Sequence, residues 1–240
     1  MLLTSAFVKI IEDYWLQFIK GALTTLELSF LGTVLGLMIA FVFAVIRVQT
    51  INPNDTSFVK FMKRAGIGFV KTYVAIFRGT PMIVQAMVFF YGFRRMGIEW
   101  SYFAAGLFTV TVNTAAYITE ILRGGIESVD IGQMEASRAL GMSQAKAMLF
   151  VVVPQALKNS FAAIGNEFII NIKDTSVLNV IQVTELYLIG TFAAGKYYAY
   201  FEAMIIVAVI YFVLTFTASK VLSFIEKRIG APLKELTSSN

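Results

Sequence analysis

The 240-residue chain reads as an all-α, polytopic membrane protein, and three observations carry that reading. Its hydrophobic content is 58%. Residues 28–46, 101–119 and 203–219 contain no Asp, Glu, Lys or Arg, and the basic residues fall in blocks between the apolar runs. Runs of about 17–20 such residues can cross a hydrocarbon core of about 30 Å, whereas a soluble helix normally keeps a polar face.

Residues 1–14 carry Lys9, Glu12 and Asp13 among short apolar stretches, a poor match to a cleavable signal peptide and a better one to an amphipathic segment on the outer membrane surface. A first span is expected over about 15–47, with Tyr14 and Trp15 at the outer interface. Within it Gly32 and Gly36 form a small-xxx-small pair suited to close helix packing, either within one subunit or between two. Asn52-Pro53-Asn54-Asp55-Thr56-Ser57 is a turn-rich linker, and the basic stretch after it should lie along the cytoplasmic surface.

Arg78-Gly79-Thr80-Pro81 starts the second span, with Thr80 as N-cap and Pro81 at the first helical position, or else kinks a helix begun near Gly68. The third span runs from Ser101 to about Arg123. Charges then return over 131–147, where good helix formers surround the one interior breaker, Gly141, which predicts two short helical pieces meeting at a bend. Pro154 marks the entry to the next span or a kink within it. A fourth span near 159–173 is unusually polar, carrying Asn166, Glu167, Asn171 and Lys173, so it should face a bundle interior or a watery cavity. Asp174-Thr175-Ser176 can cap a short helix through about Thr184, and 177–190 reads as a re-entrant or outer gating segment. A fifth span covers about 200–222, and a tail is expected over 229–240.

The basic blocks at 47–78, 123–158 and 220–234 alternate onto one side, which the positive-inside rule makes cytoplasmic. Five spans then place the N-terminus outside and the C-terminus inside. The net charge of +5 thus follows topology rather than forming a nucleic-acid footprint. With no Cys and no His, the chain builds no disulfide, no zinc site of the usual kind and no Cys/His or Ser-His-Asp nucleophile. It contains no Gly-x-x-x-x-Gly-Lys-Ser/Thr phosphate loop, so nucleotide hydrolysis would belong to another chain.

Glu135-Ala136-Ser137, then Gly141, then Val151-Val152-Val153-Pro154, preceded by Glu120-Ile121-Leu122-Arg123-Gly124-Gly125-Ile126, resembles the coupling loop of bacterial ATP-binding-cassette import permeases. That pattern is Glu-Ala-Ala, three residues, Gly, nine residues, Ile-x-Leu-Pro. Ser137 replaces the second Ala, and Val151 and Val153 replace Ile and Leu. Arg78-Gly79-Thr80-Pro81 with Gln85, and Gly165-Asn166-Glu167-Phe168-Ile169 with Lys173-Asp174-Thr175-Ser176, resemble the polar amino-acid branch of that family.

The resemblance implies a type I importer permease fold over about 15–228, with a coupling loop at about 127–154. Glu135, Ala136, Ser137, Gly141 and Pro154 would then be ATPase-coupling residues, with Glu120, Arg123 and Gly124 as structural or coupling residues. Asn166 and Glu167 become candidate substrate contacts beside the translocation pathway. The implied assembly has two permease subunits, identical or not, two ATPase subunits that hold ATP and Mg, and an extracytoplasmic amino-acid-binding protein, all at a bacterial cell membrane. No cofactor is expected in this chain. Two other classes would explain an intramembrane carboxylate but not the matched spacing: an ion-coupled secondary transporter using Glu120 or Glu167, and a non-transporting membrane scaffold.

Overall fold

The computed structural model describes residues 2–229, and among them it contains no strand. The order is α1 (Leu2–Arg47), α2 (Ser57–Gly79), α3 (Met82–Arg95), α4 (Tyr102–Glu127), α5 (Ile131–Ala139), α6 (Gln144–Ala147), a π turn (Met148–Val152), α7 (Val153–Asp174), a 3-10 turn (Thr175–Ile181), α8 (Leu186–Tyr197) and α9 (Tyr200–Ile229). Four helical runs are long and apolar enough to cross a membrane, namely α1, α4, the run through α7, and α9. The α2–α3 pair, bent by 109°, makes a fifth when counted as one broken span.

α4 is the hub, packing against α1, α2, α3 and α7. Lipid tails are as apolar as Leu, so burial alone gives membrane helices little reason to associate; small residues and interhelical hydrogen bonds supply it. Gly32 and Gly36 of α1 face Val110, Thr111 and Thr114 of α4 so closely that a Cβ on Gly32 would come within 2.5 Å of Val110 Cγ1. The small-xxx-small pair therefore packs within the subunit. At the centre, the Asn171 carboxamide of α7 donates to Thr33 of α1 at 2.9 Å and to Thr114 of α4 at 3.0 Å, and all three side chains are buried.

Two boundaries differ from the sequence expectation. No break occurs near residue 15: α1 is continuous for 46 residues, about 69 Å, because its first turns dock on α8. There Ile10 and Phe18 are buried, Lys196 Nζ lies 3.2 Å from Asp13 Oδ2, and Tyr197 OH hydrogen-bonds the same carboxylate. Asp174 caps nothing with its side chain, since α7 passes straight into the 3-10 turn, which ends at Gln182 with φ 64°. The cap is instead Glu185, fully buried, whose carboxylate accepts from the amides of Tyr187 and Leu188 and from Tyr211 OH, tying α8 to α9. The tail expected over 229–240 lies, Ile229 apart, outside the described residues.

The adjacent glycines at the end of α4 test this packing. Gly125 faces α7, where an added Cβ would fall 2.0 Å from Ser160 Oγ and 2.8 Å from the Ala156 carbonyl, whereas Gly124 has nothing within 4 Å. Gly125→Ala should destabilise the protein by about 1–3 kcal/mol through overpacking, with Gly124→Ala near neutral, as read from unfolding transitions in detergent.

Candidate functional site

Two regions collect the chemistry. The first is the segment between α4 and α7. Asp130 caps α5 by accepting from Gly132 N at 2.6 Å, and Ser143 caps α6 through Lys146 N. Between them the chain turns on Gly141 at φ +88°: its amide bonds to Arg138 O at 3.0 Å and the Met142 amide to Ser137 O at 3.1 Å. This paired closure satisfies the last carbonyls of α5 and requires a left-handed residue, which Gly adopts without steric cost. The expected helix-bend-helix is therefore present, over Ile131–Ala139 and Gln144–Ala147.

Its outward face carries Glu135 and Arg138 together with Ile131 and Leu140, the last two 74% and 86% exposed. Ala136 is also exposed, while Ser137 is buried and donates to Gln133 O at 2.6 Å, so it shapes α5 from inside. Pro154 sits in the first turn of α7, directly after the π turn, and Gln155 Nε2 donates to Val151 O at 2.9 Å there.

The segment is held at one end of the molecule. Gln144 donates to Thr50 of the α1–α2 linker at 2.8 Å, and Asn159 of α7 donates to Ser128 after α4 at 3.0 Å. The Lys63 ammonium of α2, 2.7 Å from Asp55 of that linker, holds the Asp55 carboxyl below its ordinary range by hydrogen bonding. Close by, Glu120 is partly buried between two guanidinium groups, with Arg123 Nε at 2.8 Å and Arg47 Nη2 at 3.5 Å. The i,i+3 spacing of Glu120 and Arg123 allows the first contact; the second fastens the end of α1 to α4. Gly124 is exposed on α4 and touches none of these groups.

The second region surrounds the α2–α3 elbow. Gln85 Nε2 donates to Phe77 O at 3.0 Å, Thr80 O at 3.0 Å and Thr80 Oγ1 at 2.8 Å, taking up carbonyls freed where α2 ends. Asn113 of α4 donates to Gln85 Oε1 at 3.0 Å and orients the amide. Thr80 does not cap α3 as its position suggests; its hydroxyl donates back to Ile76 O, and Pro81 occupies the N-cap without a side-chain bond. Arg78, at the tip of the elbow, lies 5.3 Å over the Tyr117 ring. Opposite, on α7, Glu167 is buried, and the charges acting on it are those of Asp174, two turns along the same face, and Arg78.

Asn166 and Glu167 therefore part company. Asn166 is exposed beside Ala162 and Ala163, while Glu167 turns inward. The structure adds Arg78 and Asp174 to the surroundings of Glu167. Only their presence near the elbow tetrapeptide and after the polar span hinted at this, because pairing across helices has no sequence spacing.

Residues 63–231 match the family model described as binding-protein-dependent transport system inner membrane component, and the chain belongs to that family. It is 33% identical over 212 residues to a putative glutamine transport system permease protein of Rickettsia bellii, covering 88% of this chain and 92% of the relative. It is 32% identical over 217 residues to the arginine transport system permease protein of Bacillus subtilis, covering 90% and 92%. A chain from the crystal structure of an amino acid ABC transporter with histidines superposes with a TM-score of 0.79 at 37% identity, covering 92% of this chain and 98% of that one.

The Gln85 clamp is testable by stability. Gln85→Leu removes the donor to Phe77 O and Thr80 and should cost about 1–3 kcal/mol, the range for stranding buried polar groups. Combined with Asn113→Ala it should be non-additive in detergent unfolding, because Asn113 bonds Gln85 Oε1 and both amides donate to Phe77 O.

Proposed function

We propose that the chain is the permease subunit of an ATP-binding-cassette importer that moves a polar amino acid across a bacterial cell membrane by alternating access. A separate ATPase pair, holding ATP and Mg, docks on the α5–α6 segment. The observation that carries this reading is the exposed helix-bend-helix, with Ile131, Glu135, Arg138 and Leu140 outward while Ser137 and the Gly141 closure hold its shape. Apolar and charged side chains standing together on a short rigid projection suit insertion into a groove of a soluble partner. The bonds from Gln144 to the linker and from Asn159 to the end of α4 support one cytoplasmic end for all three segments, with the N-terminus outside.

Glu167, buried with the charges of Asp174 and Arg78 about it, belongs to the kind of charge set that binds a zwitterion, a carboxylate toward an ammonium and a guanidinium toward a carboxylate. The relatives named for glutamine and arginine transport support the same substrate class. Asn166, with Ala162 and Ala163, offers a small-residue face carrying one amide, which is costly toward lipid and suited to a second permease subunit. An extracytoplasmic binding protein would deliver the substrate, and the ATPases would swing the spans by pulling paired coupling segments together.

In proteoliposomes with the ATPase and binding-protein partners, Glu135→Lys and Leu140→Asp should each lower ATP-driven uptake by about tenfold or more while leaving membrane insertion intact. Unchanged uptake in both would remove the coupling assignment. Glu167→Gln should weaken uptake of basic amino acids more than neutral ones if the carboxylate meets a side chain. Equal loss would place it against the α-ammonium, and no loss would exclude it from the pathway.

A further inference from the structure

Between α1, α7 and α9 lies an apolar groove of about 590 Å³, within the roughly 300–1,000 Å³ typical of small-molecule sites. Gly165 lets Leu222 approach the α7 backbone, and Phe30 meets Phe168 edge to face at 6.3 Å. Of the lining side chains only Thr33 and Thr217 are polar, and Thr33 already bonds Asn171. From Leu26 to Leu37 the groove follows α1 for about 16 Å, and from Leu214 to Ile225 it follows α9 for a similar rise. That length matches one leaflet of a bilayer whose hydrocarbon core is about 30 Å, and half the length a spanning partner helix would need.

The charges at its mouth are one-sided. Phe161 and Ile225 are the last lining residues on α7 and α9 in the direction of the α9 C-terminal end. Three residues beyond them on the same helical faces stand Lys158 and Arg228, both exposed. Arg228 also lies 5.0 Å over the Phe224 ring, and Glu226 sits at the edge of the face. The Asn166 face of α7, the one suited to a second subunit, points away from the groove.

We infer that this groove is a binding site for an anionic phospholipid, its acyl chain between α1, α7 and α9 and its phosphate headgroup on Lys158 and Arg228. The inference rests on the membrane reading of the chain but on neither the substrate nor the ATPase assignment. Juxtamembrane cations near an anionic headgroup are each worth about fivefold in affinity, so discrimination against zwitterionic lipid follows from the two together.

The test uses the full transporter in nanodiscs containing phosphatidylglycerol or phosphatidylcholine that carries a photoreactive diazirine on one acyl chain. Phosphatidylglycerol should label peptides spanning 161–168 and 214–225 in preference to phosphatidylcholine. Lys158→Gln with Arg228→Gln should remove that preference, lowering it about fivefold per cation, with phosphatidylcholine labelling unchanged. Ala218→Trp, which fills the groove, should remove labelling by both lipids. Equal labelling by the two lipids in the unaltered protein, or no labelling, would overturn the proposal. So would disulfide or maleimide cross-linking of Ala218→Cys to another subunit, which is readable because the chain has no cysteine of its own.

Discussion

The carboxamide of Asn171 is the interaction on which the rest of the arrangement depends. It joins α1 through Thr33 and α4 through Thr114 at a point where all three side chains are withdrawn from solvent. In a bilayer an amide without partners is costly, so α7 is held in the one rotation that brings Asn171 onto both hydroxyls. That rotation in turn fixes which side chains of α7 face inward. The Gly32 and Gly36 contacts let α1 and α4 come close enough for the bonds to form, so steric and polar constraints specify the same register.

A second polar clamp governs the elbow. α2 and α3 meet at 109°, a geometry that exposes the final carbonyls of α2. Gln85 takes up those of Phe77 and Thr80, and Asn113 holds Gln85 from α4. Backbone that departs from helix at membrane depth is tolerated where protein or water satisfies it, and such places are where transport sites are built. The clamp leaves Arg78 free to project from the tip toward Tyr117 and Glu167 of α7. Glu120, by contrast, is neutralised between Arg47 and Arg123, an arrangement that fastens helices and leaves little capacity to carry a proton by itself.

Local features were legible in the sequence and cross-chain ones were not. The two short helices around Gly141 followed from propensity and a single glycine, and the structure places both the bend and the left-handed residue there. Glu120 and Arg123 meet at a spacing that any helix allows. The Gln85–Asn113 bond, the Thr33–Thr114–Asn171 knot and the Glu185–Tyr211 bond join residues between 26 and 138 positions apart, and no periodicity encodes such pairs. The length of α1 was missed for a related reason. Residues 1–14 are amphipathic enough in sequence to suggest a surface helix, but docking on α8 through Asp13, Lys196 and Tyr197 keeps α1 in line from Leu2 onward.

α7 divides its surroundings by angle. Successive residues on a helix are turned by about 100°, so Asn166 and Glu167, adjacent in sequence, serve different faces. Glu167 and Asn171 look inward; Ala162, Ala163 and Asn166 form a small exposed face; Phe161, Gly165 and Phe168 line the apolar groove. From Gln144 to Ile181 the chain is helical without interruption, with a π turn at Met148–Val152 beside Pro154 and a 3-10 turn at Thr175–Ile181. Along that rod lie the second helix of the exposed segment, the Asn171 bonds to α1 and α4, and the buried Glu167, so the three features share one element and no loop separates them.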